Sequence, residues 1–258
     1  MIRHGFQIQT AWFIQAFLLG VTAWLSPLHA GEVSVAVAAH FAAPMQKIVQ
    51  AFERDTGHQA RLALGSTGKF YAQIKNGAPF AVLLAADEAT PARLEKEGFT
   101  VAGTRFTYAT GRLALWSKRP GVVDDQGAVL RQGRWNKLAL ADPKLAPYGA
   151  AAQEVMRQLG VWPLWQNKLV QGESIGQAFQ FVNTENVPLG FVALSQIWLD
   201  GRVSEGSAWV VPANLHPPLQ HDAVLLRPGQ DNPAALALLR YLQSDTAKAI
   251  IQRHGYAL

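Results

Sequence analysis

Apolar and polar positions trade places along this chain in two rhythms. Some short runs are apolar at every second position or throughout. Between them lie stretches whose apolar residues recur every three or four positions. The first rhythm marks strands and the second helices. Residues 33–37 read as a strand, and 44–56 as a helix with Pro44 in its first turn and Gly57 ending it. Residues 60–64 are the next strand, and a helix follows from Thr67 to about Asn76 with Gly77 as its C-terminal cap. Residues 82–84 form a short buried strand, and 90–97 a helix opened by Thr90-Pro91 and closed by Gly98. A βαβαβα order of this kind implies a parallel sheet with helices on both faces.

A second series starts at residues 113–116. Residues 118–134 are polar and Gly-rich and read as loop. Strand 138–141, a helix over about 148–159 closed by Gly160, strand 168–170, helix 174–184 and strand 189–193 follow. Pro217-Pro218 breaks the pattern, after which come strand 223–226 and helices 232–243 and 246–254. The fold class expected is α/β in two lobes. Lobe I takes residues 31–112 plus 217–258 and lobe II residues 113–216, with the chain crossing at about 108–116 and 209–223. Ligands of such folds sit at the carboxyl ends of the strands, where helix N-termini converge.

Residues 1–30 stand apart from this pattern. A polar start with Arg3 and His4 precedes a nearly all-apolar run over 11–25, and Pro27-Leu-His-Ala30 ends in a small residue. This is the layout of a secretory signal peptide, and the apolar run is shorter than the roughly 20 residues a membrane span needs. Of the 258 residues none is cysteine, which excludes disulfides and thiolate metal sites. The net charge of +5 is mild and no basic tract exists, so nucleic acid is not an expected partner.

The chemistry concentrates at strand-to-helix junctions. Gly65-Ser-Thr-Gly68 opens the second helix and offers unpaired backbone N–H groups, two hydroxyls and the positive end of a helix dipole. Ser66 or Thr67 reads equally as a plain N-cap. The device recurs after the first strand at Ala39-His40, and at Pro147-Tyr148 and Ser174-Ile175 in the second series. Other candidates are weaker. Asp87 and Glu88 are adjacent and point apart, so they suit a surface or structural role better than an acid/base pair. His58, His216, His221 and His254 lack the spacing of a metal site and default to surface or core roles. Lys69 fits a solvated flank or an anion contact. Gly65-Ser-Thr-Gly68 lacks the pattern of a P-loop, so nucleotide binding is not expected.

The stretch Gly65-Ser-Thr-Gly-Lys-Phe-Tyr-Ala-Gln-Ile-Lys-Asn-Gly-Ala-Pro79 resembles a family hallmark, Gly-Ser-Ser-Gly-x-x-Tyr-Ala-Gln-Ile-x-x-Gly-Ala-Pro, with Thr67 in place of the second Ser. The family is that of the molybdate-binding proteins of bacterial ABC importers, which share the type II periplasmic binding-protein fold. Ala86-Asp-Glu88, residues 105–117, Ala146-Pro-Tyr-Gly149, 188–194 and 249–256 resemble it too, so the likeness spans the chain beyond residue 30. It implies two lobes, each a mostly parallel sheet flanked by helices, joined by two crossover segments. It implies a periplasmic monomer that captures molybdate or tungstate for a membrane permease, with no catalysis and no cofactor. The residues implied are His40 and Thr67 in the first lobe and the backbone N–H groups of Tyr148 and Ile175 in the second, with Ala39 and Ser66 as additional candidates. Ala193 stands where some members carry a ligand-binding Tyr.

His40 departs from the Ser or Asn usual in that family. Either its ring reaches the anion or only its backbone N–H does. A ring that gained a proton beside the anion would strengthen binding below about pH 6.5. Two alternatives use the same cleft: a carrier of sulfate or another oxyanion, and an enzyme acting on an anionic substrate with His40 as its base. A subunit that signals oxyanion level through a partner is a third.

Overall fold

The computed structural model describes residues 30–258. The expected signal peptide therefore lies outside the described residues but for Ala30. In chain order the first series is β1 (Glu32–Ala38), a 3-10 turn (Ala39–Phe41), α1 (Ala42–Thr56), β2 (Gln59–Gly65), α2 (Thr67–Lys75), β3 (Val82–Leu84), α3 (Ala89–Lys96) and β4 (Phe106–Gly111). The second is β5 (Leu113–Ser117), α4 (Val129–Gln132), β6 (Leu138–Ala141), α5 (Pro147–Gln158), α6 (Trp162–Trp165), β7 (Leu169–Gly172), α7 (Ile175–Asn183) and β8 (Gly190–Ala193). A short ribbon, β9 (Trp198–Leu199) with β10 (Arg202–Val203), leads to β11 (Ser207–Val210), β12 (Leu219–Leu225), α8 (Pro233–Leu242) and α9 (Asp245–Arg253).

The larger strands form two five-stranded sheets, ordered β2-β1-β3-β12-β4 and β11-β5-β8-β6-β7. The chain passes from one to the other between β4 and β5 and returns between β11 and β12. The parallel pairs expected from the βαβ pattern are present: β1 lies between β2 and β3, and β6 between β7 and β8. Each sheet also takes antiparallel strands. β12 runs between β3 and β4, and β5 between β8 and β11. These strands carry the crossings.

Burial explains the layering. In β1, Val33, Val35 and Val37 face a core shared with Met45, Ile48 and Phe52 of α1 and with residues of α8 and α9. Ala36 faces the opposite way, onto Phe70 and Ile74 of α2 and Leu94 of α3. Both faces of the first sheet are thus covered, as a parallel core requires. Met45, Ile48, Val49 and Phe52 are the buried stripe of α1, and Gly57 ends that helix in the left-handed region at φ 73°.

Four details differ from expectation. α3 starts at Ala89, because the Asp87 carboxylate accepts both the Thr90 N–H (2.8 Å) and its hydroxyl (3.1 Å), so Asp87 does the capping expected of Thr90. The loop 118–134 contains the single turn α4. β12 begins at Leu219, directly after Pro218, and β4 occupies a segment read as crossover.

Candidate functional site

β1 and β2 are parallel with Ala38 opposite Gly65, so the 3-10 turn and the start of α2 leave the first sheet side by side. β6 and β7 are parallel with Ala141 opposite Gly172, which sets the starts of α5 and α7 together at the second. Contacts then join the two groups. The Gly68 N–H donates to Leu145 O at 2.9 Å, and Ser195 Oγ donates to His40 O at 2.8 Å. Lys69 pairs with Glu173. A Cβ on Gly176 would stand 3.0 Å from that of Ala39. Four helical starts from two sheets therefore meet, and His40, Thr67, Tyr148, Ile175 and Ser66 are all buried there, with Ala39 half-buried.

Each start supplies a different donor. Ser66 is the N-cap of α2, its Oγ accepting the Lys69 N–H at 3.4 Å, so the capping role falls to Ser66 and not Thr67. Thr67 Oγ1 accepts the Ala86 N–H at 2.9 Å, which leaves its hydroxyl proton to be donated elsewhere. In α5, Pro147 has no N–H, so Tyr148 carries the first amide of that helix. Ile175 opens α7 behind the N-cap Ser174, whose Oγ takes the Gln177 N–H at 3.3 Å. The Tyr148 and Ile175 amides precede the first i→i−4 bonds of their helices and sit at the positive end of the helix dipoles. The cation beside the turn, Lys69, is tied to Glu173 at the surface. The arrangement offers neutral donors to an anion.

His40 is held from three sides. Its carbonyl accepts from Ser195 Oγ (2.8 Å), and Tyr256 Oη lies 2.9 Å from that carbonyl and 2.7 Å from His40 Nδ1. If Tyr256 donates to Nδ1, the ring presents N–H at Nε2; if it donates to the carbonyl, Nδ1 carries the proton. Nε2 has no hydrogen-bond partner among the described residues. Burial, and then the neighbouring His221, push the His40 imidazole well below its ordinary value. In the absence of an anion this favours the neutral ring.

Sequence reasoning missed His221. It lies in β12, fully buried, with its ring centroid 4.1 Å from that of His40 and neither ring nitrogen hydrogen-bonded. The Tyr148 ring packs 5.1 Å from His40 and 5.7 Å from His221, and Tyr148 Oη also lacks a partner. The remaining candidates have structural roles or stand apart. His58 Nδ1 accepts the Gly31 N–H at 3.0 Å, and His254 Nδ1 lies 2.8 Å from Ile250 O. Ala193 is wholly buried in the core beside Ile175. No group of three His, Asp or Glu side chains among the described residues is arranged to hold a metal. A surface cleft of about 820 Å³ is lined by Gly68 and by parts of 86–90, 143–158 and 214–220. Thr67, Tyr148 and Ile175 line neither it nor the smaller cleft at Ala39 and His40, and all three are buried.

The profile of the bacterial extracellular solute-binding protein family matches residues 33–257. The chain belongs to that family. Among its relatives, the molybdate-binding protein ModA of Azotobacter vinelandii is 57% identical over 229 residues, covering 89% of this chain and 91% of the relative. The protein of the same name from Rhodobacter capsulatus is 49% identical over 230 residues, covering 89% and 90%. The solved periplasmic molybdate-binding protein of Azotobacter vinelandii superposes with a TM-score of 0.84 at 38% identity, covering 88% of this chain and 99% of that one. As a member of the solute-binding family the chain is a transport protein and not an enzyme. Its two-sheet α/β architecture is that of the periplasmic binding proteins.

Proposed function

We propose that this solute-binding protein captures molybdate or tungstate in the periplasm and delivers it to the membrane permease of an ABC importer. The anion sits between lobe I, residues 31–112 plus 217–258, and lobe II, residues 113–216. His40 and the Thr67 hydroxyl bind from the first, and the Tyr148 and Ile175 amides from the second. Ala39 and Ser66 border the site. The protein acts as a monomer and takes no nucleic acid. It needs no cofactor, because molybdate is its ligand.

The observation that carries this reading is the buried convergence of Thr67 Oγ1, its acceptor side taken by the Ala86 N–H, with helix starts from both sheets. The names of the relatives at 57% and 49% identity support the choice of oxyanion. Oriented neutral dipoles suit a dianion whose oxygens all accept. Hydrogen phosphate brings a hydroxyl that needs an acceptor, and leaving that hydroxyl unpaired costs about 1–3 kcal/mol. Calorimetric titration with molybdate, tungstate, sulfate and phosphate at neutral pH tests the reading. One-to-one binding of the first two, far tighter than the others, is expected. Absent binding of both, or a preference for sulfate, would overturn it.

A further inference from the structure

His40 and His221 are two imidazoles in contact, both shut away from water, and neither meets a carboxylate. His40 faces His221, Phe41, Tyr148 and Tyr256, and His221 faces His40, Tyr108, Tyr148 and Tyr256. The nearest acids are committed elsewhere. Asp222, next to His221 in β12, accepts from Arg105 and from Thr107, each at 2.7 Å, and Asp87 caps α3. No protein counter-charge therefore meets either ring, a neutral His40 can still meet the anion through one ring N–H, and two rings 4.1 Å apart would repel each other if both were protonated.

The lid over this pair comes from the other sheet. Both histidines belong to elements of the first sheet, whereas Tyr148 lies on α5 and Ser195 follows β8. Gly111, at the first crossing, makes room for the lid: a Cβ there would stand 2.1 Å from Tyr148 Oη and 2.5 Å from His221 Cε1. An opening that separated the two sheets would carry Tyr148 and Ser195 away from the pair and expose both rings.

We propose that closing the cleft over the anion buries the His40–His221 pair in its neutral form, so that capture releases protons and acid drives release. The proposal rests on the oxyanion-carrier reading and assigns that site its regulation. The direction follows from the two states. Water reaching the rings in an open cleft would return both toward the ordinary histidine value. In the closed form burial lowers both, His221 to about 3. Closed-form stability is thus complete above about pH 6.5 and is lost progressively as pH falls below it. This is the opposite sign to a protonated His40 clasping the anion.

The test is calorimetric titration of the protein with molybdate from about pH 7.5 to 5.5, in two buffers of different ionisation enthalpy. Proton release on binding is expected, with affinity falling about a hundredfold over that range when both rings titrate. In His221→Phe, or His221→Gln if the first variant does not fold, the fall shrinks to about tenfold. Proton uptake, or an affinity that is flat or rises toward acid, overturns the proposal. A second measurement follows the shape. Small-angle scattering of the protein with just enough molybdate to close it at about pH 7.5 should show an expansion toward about pH 5.5 that His221→Phe or His221→Gln weakens, and an unchanged radius would also overturn the proposal. Failure of molybdate to bind at any pH would instead overturn the carrier reading and the proposal with it, whereas binding that is flat or stronger in acid overturns the proposal alone.

Discussion

At the scale of single residues, Thr67 joins the fold to the proposed site. Its Oγ1 accepts the buried Ala86 N–H, and on the proposed reading its proton is donated to the anion. Thr67→Ala removes both functions. A hydrogen bond to a charged group contributes about 1.5–3 kcal/mol, so affinity for molybdate should drop roughly tenfold to more than a hundredfold. The orphaned Ala86 amide should lower the melting temperature as well. Thr67→Ser keeps the hydroxyl and should retain most of the affinity. Calorimetry and thermal melts on the two variants check this. Thr67→Ala binding as tightly as the parent would mean that the hydroxyl does not touch the anion. Lys69→Ala should do far less: its partner Glu173 is well exposed, and such surface pairs contribute about 0–1 kcal/mol.

At the scale of elements, closure brings the start of α2 against the loop before α5. Gly68 donates to Leu145 O, and a Cβ on Gly68 would stand 2.9 Å from that oxygen. Gly68→Ala should therefore oppose closure while leaving α2 intact, since Ala favours helix over Gly by about 1 kcal/mol. Overpacking of this kind costs about 1–3 kcal/mol, so affinity should weaken roughly fivefold to a hundredfold, with the anion-free melting temperature unchanged or raised. An unchanged affinity would show that Leu145 yields. The start of α2 was legible in the sequence because Gly-Ser-Thr-Gly separates an apolar run from a helical stripe, and the start of α7 because Ser174 reads as a cap. β4 and the first half of β12 were not. Thr107 and Thr110 dilute the apolar pattern of β4, and in β12 His221-Asp222 looks polar after Pro217-Pro218 although both side chains are buried. The contact of His221 with His40 was invisible for a related reason. It depends on β12 returning from the second crossing to pair with β3 and β4, and no local pattern encodes that pairing.

At the scale of the whole molecule, two sheets are joined by two crossings, and the donors proposed to enclose the anion are divided between them. An anion held by both halves binds only the folded, closed chain, so it stabilises the protein by mass action. At a free concentration 100 times the dissociation constant this amounts to about 2.7 kcal/mol. For a chain of this length each kcal/mol moves the melting temperature by about 2–4 °C, so molybdate and tungstate should raise it by roughly 5–11 °C. Sulfate and phosphate at the same concentration should raise it far less, because their binding is weaker. Closure also makes the size of the shift depend on the coupling of the halves. Gly68→Ala loses affinity without losing stability, so at one fixed molybdate concentration its shift should shrink while its anion-free melt does not fall. Differential scanning fluorimetry of parent and variant, with and without each anion, reads both effects. A shift as large with sulfate as with molybdate would show that the cage does not discriminate by size. A full shift in Gly68→Ala would show that binding does not require the two halves to meet at Leu145.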